Sequence, residues 1–373
     1  MQRLWIHITR HCCLAILAVS AAGCAGEALT AGPTPTRGSP APTATAPAEQ
    51  PARPAATAPQ PRATATPQAP TATPSPLAPD WGYPIGAAGR PAGDGFFIRH
   101  GYNVENTWYN PGYWHTGEDW YALDGAETAG AAVYAVAPGE VVYVGGNYPG
   151  LVVIIRHADL FSQYGHLDPA APVSAGQRVG RGERIGSVLQ RSDDVPSHLH
   201  FEIRTFLTAA EVNGASPRFP FRCGPDCPPG PGYWPMSDDA GPGGPGWRNP
   251  THVIAGRAFA ALGESGGAEA VVASQPISAT APVWLDLPQS GADAPAAELR
   301  LQPGQIWRLL EVAAGPEDSG PSAAGYAVWY RIALADGRAG WVQASVATPF
   351  ETGADGRPST IRFNFLPNDR TNP

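Results

Sequence analysis

The apolar runs of this sequence beyond residue 80 are all short, and no long run repeats with a helical period. Val133–Val136 and Val141–Val144 are separated by Pro138-Gly139, and Leu151–Ile155 and Phe161–His166 follow closely. Short apolar runs between turn residues are typical of β-strands, and the Pro-Gly turn predicts a hairpin of the first two. We therefore expect a mostly β protein.

The N-terminal 24 residues have the pattern of an export signal. Two arginines flank the start, Cys12–Val19 is apolar, and the small residues Ala21-Ala22-Gly23 precede Cys24. The last four residues resemble a bacterial lipobox, which predicts a lipoprotein signal peptide over 1–23 and lipidation of Cys24. The alternative is a plain secretory signal. With the lipid anchor, the protein is extracytoplasmic and attached to a membrane through that anchor only.

Residues 24–80 are predicted to be a disordered linker rich in Pro, Ala and Thr. Fourteen prolines lie between Ala31 and Asp80, and Leu77 is the one large apolar residue there. Such a segment buries too little apolar surface to offset the entropy of ordering, and its prolines keep it extended. It would hold the following domain away from the membrane.

The charge balance bears on the partners. The net charge is -8, and all 24 basic residues are arginines. A nucleic-acid partner requires a basic surface, so the sequence argues against one. The oligomeric state stays open.

Residues 213–250 form a Pro/Gly-rich insertion with ten prolines and eight glycines. Cys223 and Cys227 lie within it, in a C-x3-C pair. Export to an oxidising compartment favours a disulfide between them. A zinc site is the weaker reading, because two cysteines without further partners are an incomplete ligand set.

Three short motifs contain the histidines with chemical potential: His115-Thr-Gly-Glu-Asp119, Tyr164-Gly-His166-Leu167 and His198-Leu-His200. Residues i and i+2 of a strand share a face, and a turn lets a histidine and an aspartate four apart converge. Two imidazoles and one carboxylate can hold zinc and leave a position for water. Two further histidines remain for proton transfer and charge stabilisation.

With these motifs in this order, Gly95–Arg204 resembles the lysostaphin-type (LytM-like) zinc metallopeptidases. The resemblance implies an antiparallel β-sheet groove in a domain spanning 81–262. It implies an endopeptidase that hydrolyses peptide cross-links in bacterial peptidoglycan, in which a zinc-bound water attacks the scissile carbonyl.

Carried over to this sequence, the resemblance gives one zinc ion per chain, held by His115, Asp119 and His200. His166 and His198 would orient or deprotonate the water and stabilise the oxyanion. Some relatives have lost their ligands and act as binding modules that activate other cell-wall hydrolases. The intact ligand set argues against this alternative.

Tyr109 and Glu202 are two further candidate residues near the site. Tyr109, six residues before His115, either contacts the oxyanion or forms an aromatic wall of the groove. Glu202 faces the same side as His200 but is expected to lie past the metal. His157 is expected to be structural, and His100 and His252 have no partner motif.

The C-terminal region is a second β-rich block, followed by a tail over 350–373. Two alternating strands flank Asp336-Gly337, a strong hairpin signal, and Gly340-Trp341-Val342 follows. Residues 270–349 resemble bacterial SH3-like domains, which implies a small β-barrel. It would bind wall peptide or pack against the groove, and a spacer is the alternative.

Overall fold

The structure, a computed structural model, describes residues 81–87, 89–107, 110–146, 149–207, 232–258, 268–289, 293–320, 328–352 and 358–368. All of them belong to one unit, Pro70–Pro373. No helix in these ranges is long and apolar enough to cross a membrane. The signal peptide with Cys24, the linker, Tyr109 and the Cys223–Cys227 pair lie outside the described residues.

Antiparallel strands dominate the fold, as predicted. Those before the helix are β1 Phe96–His100, β2 Glu105–Asn106, β3 Asn110–His115, β4 Glu118–Ala122, β5 Ala132–Tyr134, β6 Gly139–Gly145, β7 Leu151–Arg156, β8 Phe161–Leu167, β9 Arg178–Val179, β10 Arg184–Ser187, β11 Leu199–Arg204, β12 Tyr233–Pro235 and β13 Trp247–Arg248. After helix α1 (Pro250–Ala258) come β14 Glu269–Val272, β15 Thr280–Val283, β16 Ala297–Arg300, β17 Ile306–Ala314, β18 Val328–Ala333, β19 Ala339–Thr352, β20 Pro358–Phe363 and β21 Phe365–Pro367.

One sheet runs through both β-rich regions. Its first part has the order β9-β6-β7-β8-β11-β4-β1, and its second part continues from β1 as β20-β19-β18-β17-β14-β21. Ile98 of β1 pairs with Ile361 of β20, and both side chains are fully buried. The Phe363 ring stacks on Trp120 of β4 at 5.6 Å. Apolar packing therefore continues across the junction.

Several strand predictions are confirmed, and one pairing is wrong. The runs at Leu151, Phe161 and His198 become β7, β8 and β11, and the Asp336-Gly337 turn joins β18 to β19. The runs around Pro138-Gly139 become β5 and β6, but they do not form a hairpin. β5 pairs with β10, whereas β6 pairs with β7 and β9. Between them, Ala135 N–H donates to the Glu183 carbonyl and Val136 N–H to the Tyr164 hydroxyl, so the chain passes from one sheet to another.

Two segments expected to be irregular contain strands. The end of the insertion supplies β12, which pairs with β3, and β13, which pairs with β11. The expected C-terminal tail supplies β20 and β21, which pair with β1 and β14. The physical reason is that each segment satisfies backbone hydrogen bonds that would otherwise be unpaired. β12, β20 and β21 cover strands that would end a sheet, and β13 pairs with the end of β11 that extends beyond β4.

Candidate metal centre

Strand register places Asp119 and His200 next to each other. They are direct partners in the β4–β11 pair, and Asp119 Oδ1 lies 3.0 Å from His200 Nδ1. Both side chains are buried. Paired residues on neighbouring strands point to the same face, so both groups face one site.

His115 joins them through a tight turn between β3 and β4. Its Nε2 lies 3.3 Å from Asp119 Oδ1 and 3.1 Å from His200 Nδ1. The turn passes so close to β11 that a Cβ on Gly117 would overlap the carbonyl oxygen of Phe201. Glycine therefore allows the approach that brings His115 to the site.

The three atoms have the spacing of zinc ligands. A tetrahedral zinc with bonds of about 2.0–2.1 Å separates its ligand atoms by about 3.3–3.4 Å. Here the three separations are 3.0, 3.1 and 3.3 Å. His115, Asp119 and His200 form a group that could hold a metal ion, and two nitrogens and one oxygen suit zinc.

Each ligand imidazole is oriented through its other nitrogen. His115 Nδ1 donates to the Gly101 carbonyl at 3.1 Å, which leaves Nε2 with its lone pair. His200 Nε2 donates to Glu202 Oε1 at 2.9 Å, so Nδ1 faces the site. A hydrogen bond to the second nitrogen fixes the tautomer and ring of a metal-binding histidine.

The electrostatics require positive charge at the site. Burial alone would lower the pKa of His200, but hydrogen bonds to Asp119 and Glu202 outweigh it and raise the pKa to about 9. Burial would also raise the pKa of Asp119, yet His115 and His198 hold it well below its ordinary value. The charge is supplied either by a proton on His200 Nδ1 or by a metal ion in its place.

His198 and His166 lie beside the three ligands. His198 Nε2 is 3.7 Å from Asp119 Oδ1, and the His166 ring is 4.7 Å from the His198 ring. Their Nδ1 atoms donate to the carbonyls of Pro196 and Pro149, at 2.8 and 3.0 Å. Burial lowers the pKa of both imidazoles, so each Nε2 is an unprotonated acceptor at neutral pH.

His166 reaches this position through an unusual backbone conformation. Its neighbour Gly165 is the residue that pairs with His200, so regular alternation would turn His166 to the opposite face. The φ angle of His166 is 59°, in the left-handed region that few residues other than glycine adopt. The break in alternation brings His166 to the same side as His198 and His200.

Glu202 has a larger part than the sequence analysis assigned to it. It contacts His200 directly, and it accepts hydrogen bonds from Thr116 Oγ1 at 2.8 Å and Trp247 Nε1 at 2.9 Å. Burial alone would raise its pKa, but His200 and Arg204 lower it to about 2. The H-x-H-x-E spacing already placed Glu202 on the ligand face, and this signal could have identified it.

Two more neighbours of His115 had no predicted part in the site. His100, which pairs with Asp119 across β1 and β4, packs edge-on against the His115 ring at 4.8 Å. Tyr233, from the end of the insertion, lies 5.7 Å from that ring. No motif marks either residue, because strand register rather than sequence proximity brings them here. His157 is structural, as expected, since it bonds Pro138 O and Ser162 Oγ.

The structure therefore brings together the five predicted histidine and aspartate residues of the site: His115, Asp119, His166, His198 and His200. Glu202 lies on the far side of His200 from the metal position, in keeping with its expected place past the metal, because the two ring nitrogens of His200 face opposite neighbours. Its direct contact with the ligand was not predicted.

Comparison with known proteins gives a match over this region. Residues 115–214 match the family model of peptidase family M23. The uncharacterized lipoprotein YgeR of Escherichia coli (strain K12) is 34% identical over 92 residues, which are 24% of this chain and 36% of that protein. The chain thus matches only about a third of the length of this curated relative.

Solved structures with similarity include two peptidases. A zinc-containing peptidase from Vibrio cholerae is 29% identical, with a TM-score of 0.27, over 34% of this chain and 37% of that chain. The antimicrobial peptidase lysostaphin from Staphylococcus simulans is 13% identical, with a TM-score of 0.29, over 72% of this chain and 93% of that chain.

Proposed function

We propose that this protein is a zinc-dependent endopeptidase that hydrolyses peptide cross-links in bacterial peptidoglycan. The observation that carries the proposal is the set of three ligand atoms spaced 3.0–3.3 Å apart beside the imidazoles of His166 and His198. The match to peptidase family M23 supports the peptidase class and a wall substrate.

The ligand residues would be His115, Asp119 and His200. When bound, zinc supplies a Lewis acid that polarises a carbonyl oxygen and lowers the pKa of water. Glu202 keeps His200 Nδ1 directed at the site through the bond at Nε2. Gly101 does the same for His115 through its carbonyl.

His166 and His198 would move the protons. Each presents an unprotonated Nε2, because its Nδ1–H is held by a backbone carbonyl. One of them accepts a proton from the attacking water and later returns it to the leaving amine. The other stabilises negative charge developing on the carbonyl oxygen after it takes up a proton from solvent, because only its protonated form has an Nε2–H to donate.

Zinc content and wall hydrolysis test the proposal together. Purified protein should contain one zinc per chain and release muropeptides from sacculi, and chelation should abolish the release. The His198→Ala variant should retain zinc but lose at least 100-fold in rate. If the wild type holds zinc yet releases nothing above a His115→Ala control, the proposed endopeptidase is wrong and the inactive binding module is favoured.

The cellular location follows from the N-terminal sequence. We propose an extracytoplasmic lipoprotein anchored through Cys24, in keeping with the relative described as a lipoprotein. Labelled fatty acid should be incorporated into the wild type in a bacterial host and not into a Cys24→Ala variant. The disulfide between Cys223 and Cys227 remains a further prediction, tested by alkylation before and after reduction.

A further inference from the structure

A row of side chains leads away from the metal centre across the outer face of the sheet. The His198 ring stacks on Tyr121 with centroids 5.0 Å apart, and Tyr121 lies 6.1 Å from Phe97, its partner across β4 and β1. The guanidinium carbon of Arg362 then lies 5.2 Å from the centre of the Phe97 ring. The row crosses from the region before helix α1, which contains the metal centre, to the C-terminal block, which comprises strands β14–β21.

Strand register explains the row. Ile98 pairs with Ile361, so the next antiparallel partners on the opposite face are Phe97 and Arg362. Neighbouring strands lie about 4.8 Å apart, which puts Arg362 roughly 14–15 Å from His198. An extended peptide covers this distance in about four residues, at about 3.3 Å each.

An open cavity of about 450 Å³ lies along the row. Phe97, Arg99, Tyr121 and Ser197 are among the residues that line it, and the Arg99 guanidinium carbon lies 5.5 Å from the centre of the Tyr121 ring. Two guanidinium groups share this face with one carboxylate, that of Glu127, which also lines the cavity. Positive charge is therefore in excess along the row, although the net charge of the chain is -8.

Arg362 is held in place while its charge stays available. Its guanidinium packs against an aromatic ring, a contact that restricts its motion and leaves the N–H groups at its edge for other partners. Within the described ranges it makes no ion pair with a carboxylate. A fixed guanidinium binds a carboxylate through two parallel hydrogen bonds.

We propose that Arg362, supported by Arg99, binds a carboxylate of the peptide substrate about four residues from the scissile bond. The inference rests on the proposed function and makes the C-terminal block part of the substrate groove. Its ligand is an acidic peptide in extended conformation. The reasons are the cationic face and its continuity with the metal centre along Tyr121 and Phe97.

Binding of paired synthetic peptides tests the proposal. The probes are a fluorescein-labelled stem peptide of five residues with free carboxylates and the same peptide with every carboxylate amidated. The zinc-loaded full chain should bind the acidic peptide at least tenfold more tightly, by fluorescence anisotropy. Arg362→Gln should lose this preference, and Arg362→Lys, which keeps the charge and the aliphatic stem over Phe97, should retain part of it.

Arg308→Gln is the matched control, because Arg308 is exposed on β17 of the same sheet, three strands away from β20. It should bind both peptides like the wild type. In hydrolysis assays with a cross-linked acidic peptide, Arg362→Gln should raise KM about tenfold with kcat unchanged. Equal wild-type affinity for the two peptides, or equal effects of Arg308→Gln and Arg362→Gln, would overturn the proposal.

The binding assay does not depend on hydrolysis. A wild type that prefers the acidic peptide but cleaves nothing would support the carboxylate site and contradict the proposed endopeptidase. A wild type that cleaves both peptides with equal KM would support the proposed endopeptidase and contradict the carboxylate site.

Discussion

At the residue scale, the site depends on groups that are hydrogen-bonded to the metal ligands but do not bind the metal themselves. The two ring nitrogens of His200 have different partners: Nδ1 faces the metal position and Nε2 contacts Glu202. Glu202 is itself fixed by Thr116 and Trp247. The orientation of a ligand is therefore set partly by residues from the end of the insertion.

Replacing Glu202 with Gln should weaken zinc binding without removing a ligand. The amide oxygen still accepts the hydrogen bond from His200 Nε2–H. It lacks the negative charge that makes Nδ1 donate its electron pair to zinc more strongly. Loss of such an outer partner typically costs 10- to 100-fold in metal affinity. Competition with a fluorescent chelator measures it, with exposed Glu127→Gln as the control. Unchanged affinity would show that the Glu202 charge has no such role.

Acid should destabilise the zinc-free protein. Burial, followed by repulsion from His115, lowers the pKa of His100 to about 3, and burial lowers the pKa of His157 and His252. Below pH about 6.5, the histidine pKa in the unfolded chain, these rings bind protons when the chain is unfolded but stay neutral when it is folded. The free energy of unfolding then falls with pH, by at most about 1.4 kcal/mol per pH unit for each group.

Urea unfolding of chelated protein at pH 6.5 and pH 5 checks this acid effect. Burial also lowers the pKa of His166 and His198, so these two rings add to the effect in the same window. His200, with a pKa of about 9, acts at higher pH, and Glu202, with a pKa of about 2, acts below about 4.5. A His100→Asn variant should lose less stability between the two values than the wild type. A constant midpoint would mean that the buried rings are already protonated.

At the element scale, close contacts between neighbouring strands build the site. The β3–β4 turn can approach β11 only because position 117 has no side chain. β11 itself is buried on both faces, with Leu199 and Phe201 in the core and His200 and Glu202 toward the site.

Gly117→Ala should disturb both zinc binding and stability. The added methyl group overlaps the backbone of Phe201, which cannot move without shifting β11. We expect a loss of about 1–3 kcal/mol in unfolding free energy and weaker zinc binding. Thermal unfolding with and without zinc measures both. Gly180→Ala is the control, because Gly180, like Gly117, has no positive φ but has open space around its α-carbon. Equal losses in the two variants would show that the contact with Phe201 is not the cause.

Sequence patterns predicted where the strands of the site lie better than they predicted which strands pair with each other. Local alternation identified β11, and the Asp-Gly turn identified the β18–β19 hairpin. The pairing of β5 with β10 could not be read locally, because it depends on a chain crossing between sheets. The same holds for His166, whose side is decided by a left-handed φ that no residue pattern specifies.

At the scale of the whole molecule, the region before helix α1 and the C-terminal block share a sheet and a core. β20 covers the edge of β1, and Phe363 stacks on Trp120 and packs edge-on against Tyr83 at 5.4 Å. Arg257 of α1 adds ion pairs at 2.8 Å with Asp159 and with Glu317 of the later block.

Phe363→Ala should destabilise both regions together. Removing a buried phenylalanine side chain costs about 3–5 kcal/mol, and the cavity would open between the two regions. Differential scanning calorimetry should show one transition at a lower midpoint in the variant, as in the wild type. Two separate transitions would contradict the shared core.

The β1–β20 pairing also limits how such a protein can be recombined. A chimera that grafts a foreign C-terminal block after residue 268 would leave β1 with a bare edge and Trp120 without its stacking partner. A successful graft would have to include its own version of Phe96–His100, so the boundary for exchange lies within the half that contains the metal centre and not between the halves.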